Sequence, residues 1–326
     1  MRPDGDPDLR SAYRACRRMQ RRHDPTYYWA TSRLPREIRP AVHALYGFVR
    51  GADQLVDGAD RPPDPDARRR ALDRWQSELE HGMASGRSRH PVIAALVDAG
   101  LRHDLPLGEL SVYMDSMRVD CGPVRVATRS ELESYMRGSA GAVGLIMAPL
   151  LATPRELHPL VAQLATAFQL TNFIRDVQED YELDRIYLPT EERARLGVED
   201  GDIAQRRMTD GLRALLAAEV GRARHGFAST AILDEVLPPA VRPAVLVARS
   251  VYERVLDRIE AVGFDVLAHR VRVPPWQLGG VALAALSPRA RNGSGGARNG
   301  SGGARNGSGG ARNASGGARN GSGGGR

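Results

Sequence analysis

The sequence predicts an all-α protein with one helical domain followed by a disordered tail. Apolar residues recur at three- and four-residue spacing through most of residues 1–286, where no convincing alternating strand pattern is found. A glycine-rich heptapeptide repeat occupies the rest of the chain. With 326 residues and 42% hydrophobic content, the chain is long enough to bury one large core or two modest ones.

Helical periodicity is clearest in five segments, and residues that end helices separate them. The segments run from Val42 to Val56, Leu132 to Leu151, Leu160 to Val177, Leu212 to Ala228 and Val245 to Val262. Breaks are predicted at Pro35 and Pro40, Asp60 to Pro65, Leu105-Pro106, Gly122-Pro123, Pro189, Pro238-Pro239 and Pro274-Pro275. We therefore predict a single all-helical domain over residues 1–286, larger than a four-helix bundle but packed by the same rules.

The tail, residues 287–326, contains the unit Ala-Arg-Asn-Gly-Ser-Gly-Gly repeated every seven residues from Ala290. Glycine at this density cannot offset the entropy of ordering the chain, so we predict that the tail is disordered. The tail carries seven of the 46 basic residues and no acid, which leaves residues 1–286 with 39 residues of each sign. The folded part is formally neutral, and nucleic acid is not an expected partner.

The compartment is predicted from the N-terminus, the apolar runs and the cysteines. The first ten residues are polar and acidic, unlike a signal peptide. Apolar runs such as Val143 to Ala152 are shorter than the roughly 20 residues of a spanning helix. Cys16 and Cys121 lie far apart without zinc-site spacing. We expect a cytoplasmic protein with at most peripheral membrane contact, and the sequence is silent on its oligomeric state.

The first candidate site motif lies in the helix predicted to begin near Pro40. Asp53 and Asp57 are four residues apart and share one helix face. Tyr46 and Arg50 extend that stripe with an aromatic ring and a guanidinium group suited to diphosphate. Chance alone would supply about four or five acid pairs at this spacing in the chain. The first motif alone therefore does not separate a metal site from a solvated helix face.

A second segment, from Gln169 to Asp180, repeats the arrangement. Asn172, Asp176 and Asp180 follow at four-residue steps and are predicted to share a helix face. Like charges at this spacing are destabilising, and such broken local rules tend to mark function. Carboxylates and an amide oxygen on facing helices suit Mg²⁺, which prefers oxygen ligands and leaves positions open for phosphate.

This cation site indicates a particular chemistry. A bound Mg²⁺ would stabilise a diphosphate leaving group as an allylic C–O bond ionises, and an apolar interior would protect the carbocation from water. Arg175 and Arg185 are candidates to clamp phosphate, and Tyr187 is a candidate to line the cavity.

Several stretches, in order and with suitable spacing, match the pattern of one family. They are Tyr27 to Pro35, His43 to Arg50, Asp53 to Asp57, Tyr135 to Gly144, Gln169 to Asp180, Arg185 to Pro189 and Gly263 to Pro274. On these residues the chain resembles the squalene and phytoene synthases, so the expected architecture is the isoprenoid synthase-type helical fold with a central cavity. Two positions depart from the pattern: Gln54 replaces a frequent acid, and Val126 replaces a frequent aromatic residue.

The resemblance implies residue roles. It makes Asp53, Asp57, Asp176 and Asp180, assisted by Asn172, the ligands of Mg²⁺, for which Mn²⁺ is a candidate substitute. Catalytic roles are implied for the four acids together with Tyr187 and Tyr252. Contact with substrate or diphosphate is implied for Tyr46, Arg50, Gln169, Asn172, Arg175, Arg185 and Arg270.

The implied reaction joins two geranylgeranyl diphosphates head to head, through a cyclopropylcarbinyl diphosphate, to give phytoene for carotenoid biosynthesis without NAD(P)H. The alternative uses farnesyl diphosphate and gives squalene with NADPH, or dehydrosqualene or hydroxysqualene without it. Side chains that cap the cavity set the chain length, so the sequence leaves both open. A catalytically silent assembly subunit is disfavoured because all four acids are present.

Overall fold

The computed structural model describes residues 8–271, and its regular structure is almost entirely helical. The α-helices are α1 (Leu9–His23), α2 (Pro25–Thr31), α3 (Arg39–Asp57), α4 (Pro65–Ser85), α5 (Pro91–His103), α6 (Glu109–Val119), α7 (Arg129–Met136), α8 (Ala142–Leu150), α9 (His158–Arg175), α10 (Val177–Glu182), α11 (Thr190–Arg195), α12 (Asp200–Ala204), α13 (Asp210–Ser229), α14 (Leu233–Val236) and α15 (Arg242–Ala261). A 3₁₀ turn spans Arg155–Leu157. The predicted all-α fold class is confirmed.

Two of the predicted helices are less regular than their apolar spacing suggests. Between α7 and α8 the chain forms a π-helix over Arg137–Gly141. The helix predicted to carry Asn172, Asp176 and Asp180 is interrupted, because Asp176 leaves helical geometry (φ −103°, ψ 19°) between α9 and α10. The second motif therefore lies around a helix junction and not on one continuous face.

The sequence analysis also missed two short strands. Strand β1 (Val124–Arg125) pairs in parallel with β2 (Arg185–Ile186), with Val124 opposite Arg185. Each strand has two residues, too few to produce a recognisable alternation of apolar and polar side chains. The pairing fixes the segment that carries Arg185 close to the end of α6.

Helices α8 and α9 pack at close range through small residues. A Cβ atom added to Gly144 would lie 2.8 Å from the Ala162 Cα atom and 2.9 Å from the Val161 carbonyl oxygen. Glycine is therefore required for this close approach of two backbones. On the other side, a Cβ atom on Gly138 would lie 2.6 Å from the Val112 carbonyl oxygen of α6.

The described residues fall within one compact unit. None of their helices is both long and apolar enough to cross a membrane. Cys16 and Cys121 are buried free thiols. The predicted domain boundary after Leu286 and the predicted disorder of residues 287–326 lie outside the described residues and remain predictions.

Candidate functional site

Both acidic motifs contribute to one cavity of about 480 Å³, here called the polar cavity. Asp53 and Asp57 reach its wall from α3, and Asp176 and Asp180 reach it from the α9–α10 junction. Six further residues singled out by the sequence analysis line the same cavity: Arg50, Gln169, Asn172, Arg175, Arg185 and Tyr187. The fold thus brings together residues that are widely separated in sequence.

In the first motif, the two acids have different partners. Asp53 accepts a hydrogen bond from the Tyr113 hydroxyl of α6 at 3.0 Å. Asp57 is the last residue of α3, where a negative charge is disfavoured by the helix dipole. Arg185 offsets this through two hydrogen bonds to the Asp57 carboxylate, at 2.5 and 2.9 Å.

In the second motif, Arg175 makes two hydrogen bonds to the neighbouring carboxylate of Asp176. The backbone N–H of Asp176 donates to the Asn172 carbonyl oxygen at 2.8 Å, which ends α9. Asp180 lies one turn farther along, within α10. Both predicted phosphate-clamping arginines are therefore paired with acids of the motifs, and this pairing lowers the mutual repulsion of the carboxylates.

Asp120, which the sequence analysis missed, holds three of the cavity's side chains. It is buried and accepts hydrogen bonds from the hydroxyls of Tyr135 at 2.5 Å and Tyr187 at 2.7 Å. Its backbone carbonyl accepts a hydrogen bond from Arg185 at 2.6 Å. Because Arg185 also binds Asp57, Asp120 connects the tyrosine pair to the first motif.

Burial disfavours the ionised form of the Asp53 and Asp180 carboxyl groups. It raises the pKa of Asp53 to about 6, against the opposing effects of the Tyr113 hydrogen bond and the Arg50 charge. Burial also raises the pKa of Asp180, and the nearby charge of Asp176 adds to this. A cation would favour the charged forms of these groups.

No three histidine, cysteine or acidic side chains in residues 8–271 lie close enough to hold a metal ion by themselves. The donor set nevertheless fits a hard cation that shares its coordination sphere with phosphate oxygens. Asn172 Oδ1 is buried and has no hydrogen-bond partner among the described residues. Asn172 lines the polar cavity, so this oxygen is an available ligand.

A second cavity of about 270 Å³, the apolar channel, continues from the polar cavity. Its wall is formed mostly by aliphatic and aromatic side chains of α8, α9 and α15. Four residues belong to the walls of both cavities: Val49, Ser139, Gln169 and Asn172. A charged group in the polar cavity and a hydrocarbon in the channel would therefore meet at these residues.

Two of the remaining predicted residues, Tyr252 and Arg270, line an outer cavity of about 700 Å³. Tyr252 lines this cavity and the apolar channel, and its ring lies 4.4 Å from that of Phe168. Arg270 lines the outer cavity and forms an ion pair with Glu179 at 3.0 Å. Tyr46 packs against Tyr27, with ring centroids 6.1 Å apart. Asn172 is shared by all three cavities.

Several residues of these cavities carried no role in the sequence analysis. Tyr135 packs against Tyr187 and lies within a stretch that matches the family pattern, so the sequence offered a signal for a role at the site. Asp120 and Tyr113 are buried as well, but no pattern in the sequence pointed to them. Val126 belongs to the core beside β1 and is absent from the walls of the three cavities in the described part of the chain.

Comparison with known proteins agrees with this geometry. The family model described as squalene/phytoene synthase matches residues 20–277. A phytoene synthase of Thermus thermophilus is 34% identical over 269 residues, covering 81% of this chain and 89% of the relative. A 15-cis-phytoene synthase of Synechococcus elongatus is 31% identical over 282 residues, covering 82% and 90%.

Solved structures share the fold. A dehydrosqualene synthase bound to a ligand superposes with a TM-score of 0.78 at 24% identity, covering 85% of this chain and 96% of that one. A squalene synthase of Alicyclobacillus acidocaldarius gives a TM-score of 0.72 at 30% identity, covering 78% and 95%. The chain therefore belongs to the squalene/phytoene synthase family, whose members are prenyltransferases, and the predictions of family and enzyme class are confirmed.

Proposed function

We propose that this enzyme is a phytoene synthase that condenses two geranylgeranyl diphosphates, through a cyclopropylcarbinyl diphosphate, to phytoene. The observation that carries the proposal is the junction of a polar cavity, lined by four aspartates, with an apolar channel. Such a junction can hold a diphosphate on one side and its isoprenoid chain on the other. The relatives named phytoene synthase, at 31–34% identity, support the same reaction.

The channel wall supports a long isoprenoid chain. Six small residues lie among the larger apolar side chains of the wall: Ala30, Ala140, Gly144, Ala165, Ala244 and Ala248. The second candidate is a synthase of C30 products from farnesyl diphosphate. It is favoured by the fold similarity to structures named squalene and dehydrosqualene synthase.

Metal binding is assigned on the donor set described above. Asp53, Asp57, Asn172, Asp176 and Asp180 would hold Mg²⁺, and Mn²⁺ is a candidate substitute. When bound, the cation supplies positive charge that stabilises the departing diphosphate. The phytoene reaction needs no NAD(P)H, because it has no reductive step.

The chain's own side chains would orient the substrate and exclude water. Arg50 has a buried Nε atom without a partner among the described residues, so it can donate to diphosphate. The stacked rings of Phe173 and Tyr187, 4.1 Å apart, form an aromatic wall that suits a developing carbocation. Aliphatic residues of the apolar channel would shield that cation from water.

The test is incubation of the purified full-length protein with Mg²⁺ and either geranylgeranyl or farnesyl diphosphate, with and without NADPH, followed by identification of the product. We expect phytoene from geranylgeranyl diphosphate, independent of NADPH. A C30 hydrocarbon or alcohol from farnesyl diphosphate, with no phytoene, would establish the second candidate. No product from either substrate would refute both.

A further inference from the structure

Ser139 lies at the point where the polar cavity and the apolar channel meet. It is one of the four residues that line both, and the other polar ones are Gln169 and Asn172. Ser139 belongs to the π-helix Arg137–Gly141, which packs against both α6 and α9. Such π-helical turns are rare and frequently lie at functional sites.

The Ser139 hydroxyl has no hydrogen-bond partner among residues 8–271. Its Oγ atom is buried and makes no hydrogen bond to any described residue. A serine in a helix can donate to the carbonyl four residues earlier, which here is that of Tyr135. Ser139 does not make this bond, and the Tyr135 carbonyl accepts a hydrogen bond from Ser116 Oγ at 3.1 Å. A buried, unpaired hydroxyl lowers stability, so its presence at this junction requires an explanation.

The position of Ser139 suggests which part of a ligand it would meet. The diphosphate belongs among the aspartates and arginines of the polar cavity, and the isoprenoid chain belongs in the apolar channel. The bond that joins them, from the first carbon to the nearest diphosphate oxygen, must then cross the junction. This step rests on the proposed function.

We propose that the Ser139 hydroxyl contacts the substrate at this bond and donates a hydrogen bond to the diphosphate oxygen attached to the first carbon. When the carbon–oxygen bond breaks, its electron pair stays on that oxygen and an allylic cation remains on the chain. The hydroxyl keeps its proton and stabilises the charge that develops on the oxygen. A fixed neutral donor is effective for this purpose in a cavity that excludes water.

The test compares wild type with Ser139→Ala, which removes the hydroxyl and little else. We expect kcat/KM for the prenyl diphosphate to fall about 100- to 1,000-fold, the range for losing one donor to a developing oxyanion. Inorganic pyrophosphate, which carries the charge of the leaving group, should bind more weakly by calorimetry in the same Mg²⁺ buffer. The melting temperature should stay the same or rise, because an unpaired buried hydroxyl has been removed.

Thr171→Val serves as the matched control, because the Thr171 hydroxyl is buried but donates to the Ala167 carbonyl at 2.9 Å. It should leave kcat/KM and pyrophosphate affinity unchanged. Equal kcat/KM and pyrophosphate affinity in Ser139→Ala and wild type would overturn the proposal, and so would a lowered melting temperature. If wild type turned over no prenyl diphosphate, the proposed function would fail, while the pyrophosphate comparison would still decide the role of Ser139.

Discussion

Asp120→Asn should change how the stability of this protein depends on pH. Asp120 is only 6% exposed, and burial raises the pKa of its carboxyl from the ordinary 3.8 to about 6. The Arg185 charge and the hydroxyls of Tyr135 and Tyr187 oppose this rise without cancelling it. At neutral pH Asp120 is therefore ionised in the folded protein, although its buried surroundings favour the protonated carboxyl group.

The sign and size of the effect follow from proton linkage. A carboxyl with a higher pKa in the folded than in the unfolded state contributes stability below the unfolded pKa, and this contribution is lost as the pH rises through the folded pKa. A shift of about two units corresponds to about 3 kcal/mol in total, of which about 2 to 3 kcal/mol falls between pH 4 and pH 7. Asparagine does not titrate, so Asp120→Asn should gain this amount relative to wild type over the same interval.

The measurement is urea unfolding followed by circular dichroism at several pH values, with a chelator present so that metal binding does not contribute. Asp115→Asn, in the last two turns of α6 before Asp120 but with a side chain 77% exposed, should follow the wild-type curve. Parallel pH profiles for wild type and Asp120→Asn would refute the reasoning. Turnover should fall about tenfold, because Tyr135 and Tyr187 donate to different oxygens of the Asp120 carboxylate, and asparagine replaces one of these oxygens with an NH₂ group that cannot accept.

Four further variants test other parts of the molecule. Asp53→Asn or Asp176→Asn should lower turnover at saturating Mg²⁺ by about 100-fold or more with the circular dichroism spectrum unchanged, and near-wild-type activity would contradict the metal assignment. Gly144→Ala should lower the urea-derived free energy of unfolding by about 1 to 3 kcal/mol, because its Cβ would lie 2.8 Å from the Ala162 backbone; unchanged stability would refute the close packing. Deletion of residues 287–326 should shift the melting temperature by less than about 2 °C, because the repeat has no apolar face, and a large drop would show that the tail packs.

The fold class could be predicted because helical periodicity is a local property. The predicted segments correspond to α3, α7 to α8, α9, α13 and α15, and each places its apolar residues in one connected core. Strands β1 and β2 could not be predicted in the same way, because two residues each carry no pattern and their partners are distant in sequence.

The four aspartates could be selected from the sequence because each pair places like charges four residues apart. Such a pair destabilises a helix, so its repetition in the chain indicates a function. The pairing of Asp53 and Asp57 with their partners could not be predicted, because these partners come from other elements. Arg185 lies 128 residues from Asp57, and Tyr113 lies 60 residues from Asp53. Spacing along one helix says nothing about a contact between two distant segments.

Three of the site residues that the sequence analysis missed or misplaced lie where a helix ends or is interrupted. Asp120 follows the last residue of α6, Asp176 separates α9 from α10, and Ser139 lies in a π-helix. A periodicity argument assumes an unbroken α-helix, so it assigns side-chain directions wrongly or not at all beyond such a point. Interruption also leaves polar groups without their usual helical partners, as at Ser139. At Ser139, the irregularity that hides the residue from a sequence pattern is thus also the one that leaves its hydroxyl available to a ligand.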